Sequence, residues 1–490
     1  MSAEIAGGFT GTLARAGPGM PETQPLRRAL ARRVIALDPI IDEAFGESSR
    51  LRYHSPVLQH AVDGLFAGLA GWRTVATHLA QLPDERARAA AQVVLRGVPQ
   101  ALRSVADAAA PNRWMEDPVR LREVCETAGR TLVAQPVATP SLRLLADQTA
   151  KLLAGVAQAL QGLALLVADP ARPPAPHGRV RLRIPDWLPS LVNAGRALAA
   201  IGAVELFWIV TAWPDGALAI TFAVIGVTLF APRADQAYAM VRDFMIGTVL
   251  AAVLAAIVKF AVLPGMSTFA GFSIALGLYL VPVAAAIVQP WQTGIFIAMT
   301  INFVPLLAPA NQMIYDTAQF YNTTLAILVG TAAAALSFRL LPPLSPALRT
   351  RRLLALTLRD LRHLATGAVA WTPEDWEACI YGRLSAMPEQ AEPLQRAQLL
   401  AALSVGSEII GLRRICPGLG LGGQLGTAFA ALAQGRSEAA SARLARLDRL
   451  LARPGPAAAP QLGLRARSHI LAISEALARH AAYFDAGAPA

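Results

Sequence analysis

From Ala197 to Leu341, a stretch of 145 residues, only nine side chains carry a charge. Six apolar segments follow one another there, separated by Pro, Gly and polar residues. A helix needs about twenty apolar residues to cross a hydrocarbon core of about 30 Å, and most of the six approach that length. We therefore expect a block of about six transmembrane helices within residues 179–343. The segments lie at roughly 194–213, 217–231, 244–263, 270–288, 293–310 and 321–341.

The second of these segments is short, at about fifteen residues, and follows a Pro214–Gly216 turn directly. A tight turn between two apolar segments is typical of a helical hairpin. We therefore expect the first two segments to form such a hairpin, with the second arm tilted or partly re-entrant. Aromatic residues lie near several segment ends, as an interfacial belt would place them.

The flanks of the block have ordinary charge density and helical periodicity, without the alternating apolar and polar runs that indicate strands. The predicted fold class is therefore all-α: a polytopic membrane protein whose spans lie between two cytosolic helical domains. Residues 1–25, rich in Gly, Pro and Thr, are expected to be a disordered lead-in. The two cytosolic domains are placed at 26–178 and 344–490.

One apolar segment outside the block is ambiguous. Leu152–Ala168 barely reaches the length of a span, Lys151 flanks it, and Gln158 and Gln161 interrupt it. We expect it to be a buried helix of the first soluble domain. The proline-rich stretch Asp169–His177 that follows cannot be helical and is expected to link this domain to the block.

The arginines define an orientation for the spans. They cluster before the first segment, between the second and third, and after the sixth, which are alternate loops on one side of a membrane. The positive-inside rule places that side, and with it both soluble domains, in the cytoplasm. The same rule explains the net charge of +11 better than nucleic-acid binding does, so the expected partner is a lipid bilayer and not a nucleic acid.

The motifs of the common enzyme classes are missing from the sequence. It contains no GxxxxGK[ST] phosphate-binding loop, and Gly418, Gly420 and Gly423 match GxGxxG without a preceding strand. His54 and His60 are six residues apart, on different faces of a helix, and the three cysteines form no CxxC pair. We expect neither an enzyme nor a bound cofactor or metal.

Glu205, near the middle of the first span, is the candidate for proton coupling. A charged side chain at this depth costs roughly 2.5–3.5 kcal/mol on insertion scales for other charged types. The carboxyl group is therefore either tolerated by the helix bundle in a protonated or packed state, or it relays protons. Of these two, the functional interpretation is favoured.

Several polar residues inside or beside the spans are candidates for a substrate pathway. Lys259, near the outer end of the third span, either attracts an anion or anchors the span at the interface. The polar loop between the fifth and sixth spans either lines a vestibule for an aromatic acid or caps two helices at the headgroups. The candidates for this pathway are Trp213, Asp215, Lys259, Asn302, Asn311, Tyr315, Asp316 and Asn322.

Four charged residues on the opposite side of the block, between the second and third spans, are candidates for a cytoplasmic gate. The alternative is a fixed cluster of ion pairs, which is the favoured interpretation. The four are Arg233, Asp235, Arg242 and Asp243.

The order and spacing of several short motifs resemble the fusaric-acid-resistance family of aromatic carboxylic acid exporters. The similarity covers most of the chain after residue 30, in the first soluble region as well as in the spans. The motifs are Leu37-Asp38-Pro39, Trp72-Arg73, Trp213-Pro214-x-Gly216, Leu229-Phe230-Ala231-Pro232, Phe244-x-x-Gly247, Leu263-Pro264, Asn311-x-x-x-Tyr315-Asp316, Asn322, Gly330 and Pro342.

This resemblance implies proton-driven efflux of small, aromatic carboxylic acids across the bacterial inner membrane, often with a periplasmic adaptor protein as partner. Many members of the family carry a further membrane block ahead of the first soluble region, whereas this sequence shows one block. A homodimer that forms a double-size bundle is therefore expected, with a shortened product as the alternative.

Two other functions remain open at this point. One is a passive anion channel, which would conduct without a proton gradient. The other is a membrane-anchored scaffold or regulatory subunit, in which the soluble helical domains bind a partner and the chain transports nothing itself.

Overall fold

The structure is a computed structural model that describes residues 1–17, 22–103, 113–167, 186–231, 236–266, 268–288, 292–310, 313–369, 371–453 and 460–487. In these ranges the regular secondary structure is helical throughout, which agrees with the predicted all-α class. The chain divides into two compact units. Unit 1 combines Met1–Pro185 with Thr350–Ala490, and unit 2 is Asp186–Arg349.

The helices of unit 1 come from both ends of the chain. The N-terminal ones are α1 (Ser2–Ala14), α2 (Gln24–Ile35), α3 (Leu37–Glu47), α4 (Ser49–Tyr53), α5 (Ser55–Leu79), α6 (Asp84–Gly97), α7 (Gln100–Arg103), α8 (Arg113–Glu116), α9 (Pro118–Ala134) and α10 (Pro140–Val167).

Unit 2 begins with α11 (Leu188–Thr211), α12 (Gly216–Phe230) and α13 (Ala237–Ile257), and α13 continues into a π-helical turn (Val258–Val262) and a 3₁₀ turn (Leu263–Gly265). It is completed by α14 (Phe269–Ile287), α15 (Thr293–Leu307) and α16 (Thr317–Leu340).

The C-terminal helices return to unit 1, with α17 crossing the boundary between the units. They are α17 (Pro346–Thr366), α18 (Pro373–Ser385), α19 (Pro393–Ile415), α20 (Gly422–Ala433), α21 (Ser437–Leu451), α22 (Pro460–Arg479) and α23 (Ala481–Phe484).

Helices α5 and α10 form the spine of unit 1 and pack along their lengths. Small residues allow this close approach, since a Cβ atom added to Gly155 would lie 2.8 Å from the backbone nitrogen of Gly68. Polar side chains of α10 then reach the C-terminal helices. Lys151 donates to Glu377 of α18 at 2.6 Å, and Gln148 donates to Glu408 of α19 at 2.9 Å. The two helical regions predicted as separate domains therefore share one core.

The helix α10 has the length and composition of a membrane span, as the sequence already indicated. In the structure 56% of its most apolar window is buried, and the buried Arg143 forms an ion pair with Asp147 one turn away, at 2.6 Å. We assign it to the core of unit 1, since lipid provides no partner for such polar groups.

The predicted disordered lead-in is replaced by α1 in the structure. Ile5, Phe9 and Leu13 repeat at four-residue steps and are buried in the core of unit 1. Trp72 donates its indole N–H to the hydroxyl of Thr12 at 2.8 Å. The sequence suggested disorder because of its glycines, but at Gly8 the missing side chain is what makes room for the Trp72 ring.

The six helices of unit 2 correspond to the six apolar segments of the sequence. By length and composition α11, α13 with its extension, α14 and α16 could cross a membrane, whereas α12 and α15 are shorter apolar helices. Together with α10, five helices of spanning length occur in the described residues. The short second segment thus starts at Gly216 as expected, and the fifth is also short.

Small residues also govern the helix crossings in unit 2. A Cβ atom on Gly330 of α16 would lie 2.9 Å from the backbone nitrogen of Ala223 on α12. Gly247 of α13 lies against the backbone of Ile295 on α15 in the same way. Close backbone approach of this kind replaces the hydrophobic effect as the main source of helix association in lipid.

Candidate functional site

Lys259 lies in the π-helical turn that extends α13, and only 6% of its surface is exposed. Its ammonium nitrogen is 5.8 Å from the centroid of the Phe320 ring on α16. Sequence reasoning allowed this lysine to extend outward from the bundle. The structure instead directs it inward, where an isolated charge is costly and a π-turn often marks a functional site.

Local sequence explains this arrangement. Pro264 ends the helical extension of α13, because proline cannot continue the backbone hydrogen-bond ladder. Phe260 packs edge to face on Phe320, with ring centroids 5.4 Å apart. Asp316 is the N-cap of α16 and accepts from the backbone N–H groups of Ala318 at 2.8 Å and Gln319 at 3.2 Å. These two hydrogen bonds fix its carboxylate at the start of the helix.

A second polar level lies deeper in unit 2. Asn302 of α15 is fully buried and donates its amide N–H to the hydroxyl of Thr248 on α13 at 2.9 Å. Its carbonyl oxygen has no hydrogen-bond partner among the described residues. Thr248 precedes Lys259 by eleven residues, or about 16 Å along α13. The two polar levels are therefore about three helical turns apart.

Aromatic side chains line the helices near these two levels. Tyr279 of α14 stacks on Phe303 of α15 with ring centroids 3.6 Å apart, and its hydroxyl donates to the backbone oxygen of Met299 at 3.1 Å. This stacked pair lies next to Asn302, whereas the Lys259 end of the bundle has the rings of Phe260 and Phe320. A cation next to an aromatic ring is a suitable lining for an aromatic anion.

Glu205 lies apart from both levels. It is exposed on α11, next to the buried Val204, and its neighbours Leu206, Ile209 and Val210 are exposed as well. It follows the buried Arg196 by nine residues, or about 14 Å along the helix axis, which is close to mid-span. A carboxylate on an apolar face at that depth is costly unless it is protonated or covered.

The other pathway candidates lie on the end of unit 2 that contains Lys259. Trp213 packs edge to face against Phe207, and Asp215 begins α12, where its backbone oxygen accepts from Leu218 and Ala219. Tyr315 is exposed, Asn322 is half-buried on α16, and Asn311 lies outside the described residues. Among the candidates that the structure describes, Lys259 lies against the Phe320 ring, and no single cluster unites them.

Two of the four gate candidates, Arg233 and Asp235, also lie outside the described residues. Arg242 and Asp243 are sequence neighbours near the start of α13 and form an ion pair at 2.9 Å. Both are at least partly exposed, so this pair alone neither closes nor opens a passage.

Sequence reasoning missed the role of Arg196. This side chain is fully buried and donates to the backbone oxygen of Leu341 at 2.6 Å, with its guanidinium carbon 4.4 Å from the Phe338 ring centroid. This hydrogen bond satisfies a backbone oxygen at the C-terminal end of α16 and so links α11 to α16. Thr248 was also missed, although a single hydroxyl in an apolar span is a detectable signal for an interhelical hydrogen bond.

Among the comparisons with known proteins, the match to a protein-family model covers the longest part of the chain. The family model described as the fusaric acid resistance protein family matches residues 6–490. An uncharacterized transporter of Gluconobacter oxydans is 28% identical over 42% of this chain, and the uncharacterized transporter YdhK of Escherichia coli is 26% identical over 50%. The p-hydroxybenzoic acid efflux pump subunit AaeB of Pantoea ananatis is 28% identical over 34%.

These three similarities span 28%, 36% and 25% of the relatives' own lengths, respectively. The matched part of the chain therefore spans between a quarter and just over a third of each of those proteins. No solved structure matches the chain.

Proposed function

The chain belongs to the fusaric acid resistance protein family, and from this membership we propose that it exports small carboxylic acids, aromatic ones foremost, across a membrane. Two kinds of relative support the proposal: proteins named as transporters and a protein named as a subunit of a p-hydroxybenzoic acid efflux pump. The six apolar helices of unit 2 supply the membrane part.

The observation that carries this proposal is the inward-facing Lys259. A buried ammonium group beside the Phe320 ring offers both attractions that an aromatic carboxylate needs, a positive charge and a ring face. An incoming carboxylate would pair with the Lys259 ammonium group, and its aromatic ring would lie near Phe320.

Proton coupling is proposed for Glu205. A charge on the apolar face of α11 is costly in lipid, and an ionisable side chain inside a span is by default a functional candidate. A group of this kind can carry a proton between two states of the transporter. The second part of the proposal is therefore that protonation of Glu205 drives export.

The exposed position of Glu205 is also an argument for a homodimer. The face of α11 around Glu205 also exposes Gly195, Ala199 and Gly202, which permit a second helix to approach closely. We place this face between two copies in the bacterial inner membrane, with unit 1 in the cytoplasm. A periplasmic adaptor protein would complete the export path.

The test is the accumulation of radiolabelled 4-hydroxybenzoate in cells that lack or overproduce this chain, with and without an uncoupler. Proton-driven export predicts lower accumulation on overproduction and loss of that effect with the uncoupler. An effect that persists with the uncoupler and reverses with membrane voltage would instead favour a passive anion channel. Unchanged accumulation over a panel of aromatic acids would favour a scaffold without transport activity.

A further inference from the structure

Unit 1 contains a groove of about 710 Å³ on the outer face of α17, where this helix meets α23 and the end of α20. Its volume lies within the range of about 300–1,000 Å³ that is typical of sites for small molecules. The lining residues that the structure describes all belong to unit 1.

One wall of this groove is basic. Arg351, Arg359 and Arg362 lie on one face of α17, at steps of eight and three residues, and His363 lies beside them. Asp and Glu are absent from the described lining residues. The nearest acidic contact is an ion pair between Arg359 and its sequence neighbour Asp360 at 3.7 Å, at the edge of hydrogen-bonding distance.

The arginines differ in how far their hydrogen-bond capacity is already used. Arg362 donates to the backbone oxygens of Phe484 at 3.2 Å and Ala486 at 2.8 Å, which fixes its guanidinium group at the groove. Its Nε atom is buried and has no partner among the described residues. Arg351 is exposed and has no described ion-pair partner. Arg362 also donates to the backbone oxygen of Gly487 at 3.3 Å, so the guanidinium groups open to an occupant are those of the exposed Arg351 and Arg359.

Apolar side chains complete the lining of the groove. Leu354 and Leu358 lie on the same side of α17 as the arginines, Tyr483 comes from α23, and Ala355 and Ala433 are small. Tyr483 is held in place because its hydroxyl donates to the backbone oxygen of Leu354 at 3.2 Å. The lining thus combines guanidinium groups with aliphatic side chains and one aromatic ring.

We propose that this groove binds a small organic acid in its anionic form, with the carboxylate on the arginines of α17 and the apolar body against Leu358 and Tyr483. The positive charge and the apolar lining of the groove favour this class of ligand. The inference rests on the proposed function for the choice of an aromatic probe and for what the bound acid would report. Bound acid in unit 1 would report the cytoplasmic concentration of the compound that unit 2 exports.

Binding is tested on the purified full chain in neutral detergent, where no proton gradient exists. Photolabelling with 4-azidobenzoate, followed by peptide mass spectrometry, should mark α17 and the segment 479–487. Benzoate should compete with this labelling at least tenfold better than benzamide, its neutral isostere, because the arginines recognise charge.

Two variants and one control make the test specific. Replacing both Arg351→Gln and Arg359→Gln should weaken benzoate competition at least tenfold, and Ala355→Phe should block labelling by filling the groove. Arg446→Gln removes an exposed arginine of α21 that does not line the groove, and it should leave labelling unchanged. All four replaced positions are partly or fully exposed, so folding should be preserved.

Three results would overturn the proposal: labels confined to unit 2, equal competition by benzamide, or insensitivity to the double variant. Loss of labelling in nanodiscs rich in phosphatidylglycerol would show that the groove holds a lipid headgroup instead of a free acid. Because labelling needs no export, a chain that binds in the groove but exports nothing would separate this inference from the proposed function.

Discussion

The ammonium group of Lys259 lies 5.8 Å from the centroid of the Phe320 ring, so the one lysine of unit 2 contacts an aromatic face inside an apolar bundle. Lys259→Gln removes the charge and keeps most of the side-chain volume. We expect it to reduce export of 4-hydroxybenzoate at least tenfold, whereas Lys259→Arg should retain part of the activity because the cation remains.

The measurement is initial export from preloaded vesicles that contain equal amounts of each variant. A lysine that only anchors α13 at the interface would give equal export for the wild type and for Lys259→Gln, with unchanged protein levels.

The crossing of α12 and α16 at Gly330 makes a prediction about stability. A Cβ atom at this position would lie 2.9 Å from both the backbone nitrogen of Ala223 and the Cβ atom of Phe222. Gly330→Ala should therefore destabilise the chain by about 1–3 kcal/mol, the usual cost of overpacking. Thermal unfolding in detergent should show a lower midpoint.

The matched control for this change is Gly277→Ala on α14, where an added Cβ atom meets nothing within 4 Å. Its unfolding midpoint should equal that of the wild type or exceed it slightly. Equal midpoints for the two alanine variants would contradict the close crossing at Gly330.

Apolarity alone predicted much of unit 2, because lipid demands continuous hydrophobic helices. It did not predict the helix ends: α11 begins at Leu188 and α13 at Ala237, both before the apolar segments, since their first turns tolerate polar residues. The π-turn around Lys259 also escaped prediction, because periodicity assumes a regular helix and so assigns the wrong direction to a side chain after such a turn.

In unit 1, periodicity identified α5 but could not show which helices meet. The contact between Lys151 and Glu377 joins residues 226 positions apart, and no local pattern encodes such a pairing. The groove on α17 escaped prediction for the same reason. Its arginines are visible in the sequence, but the apolar wall comes from Tyr483, far along the chain.

A buried histidine in unit 1 should make stability depend on pH. His480 is 8% exposed, and burial, followed by the charges of Arg73 and Arg479, lowers its pKa to about 4. An unfolded chain protonates histidine near pH 6.5. Between these two values the unfolded state binds more protons, so the free energy of unfolding should fall as the pH is lowered from about 6.5 to about 4.

Thermal unfolding of the full chain in detergent at pH 7 and pH 5 measures this effect. His480→Gln should lose less stability between the two pH values than the wild type does. His363→Gln, at an exposed position, is the matched control and should keep the wild-type difference. If His480→Gln also keeps that difference, the histidine does not contribute to the acid sensitivity.

The exposed carboxyl of Glu205 leads to the last prediction, which concerns the proposed homodimer. Gly202 lies one turn before Glu205 on the same side of α11, and a Cβ atom there meets nothing within 4 Å in a single copy. If a second copy covers this face, two cysteines at position 202 should come within disulfide distance across the interface.

Gly202→Cys should therefore give a covalent dimer when native membranes are oxidised, in a background where Cys125, Cys379 and Cys416 are alanine. Ala200→Cys, two residues away but buried within its own bundle, should stay monomeric under the same conditions. Adding Glu205→Gln should preserve the dimer, because the interface needs only a neutral side chain at this position. The same change should abolish the response of export to an uncoupler, because proton coupling needs a titratable side chain. Monomers from both cysteine variants would instead leave Glu205 facing lipid, with no role for this face in assembly.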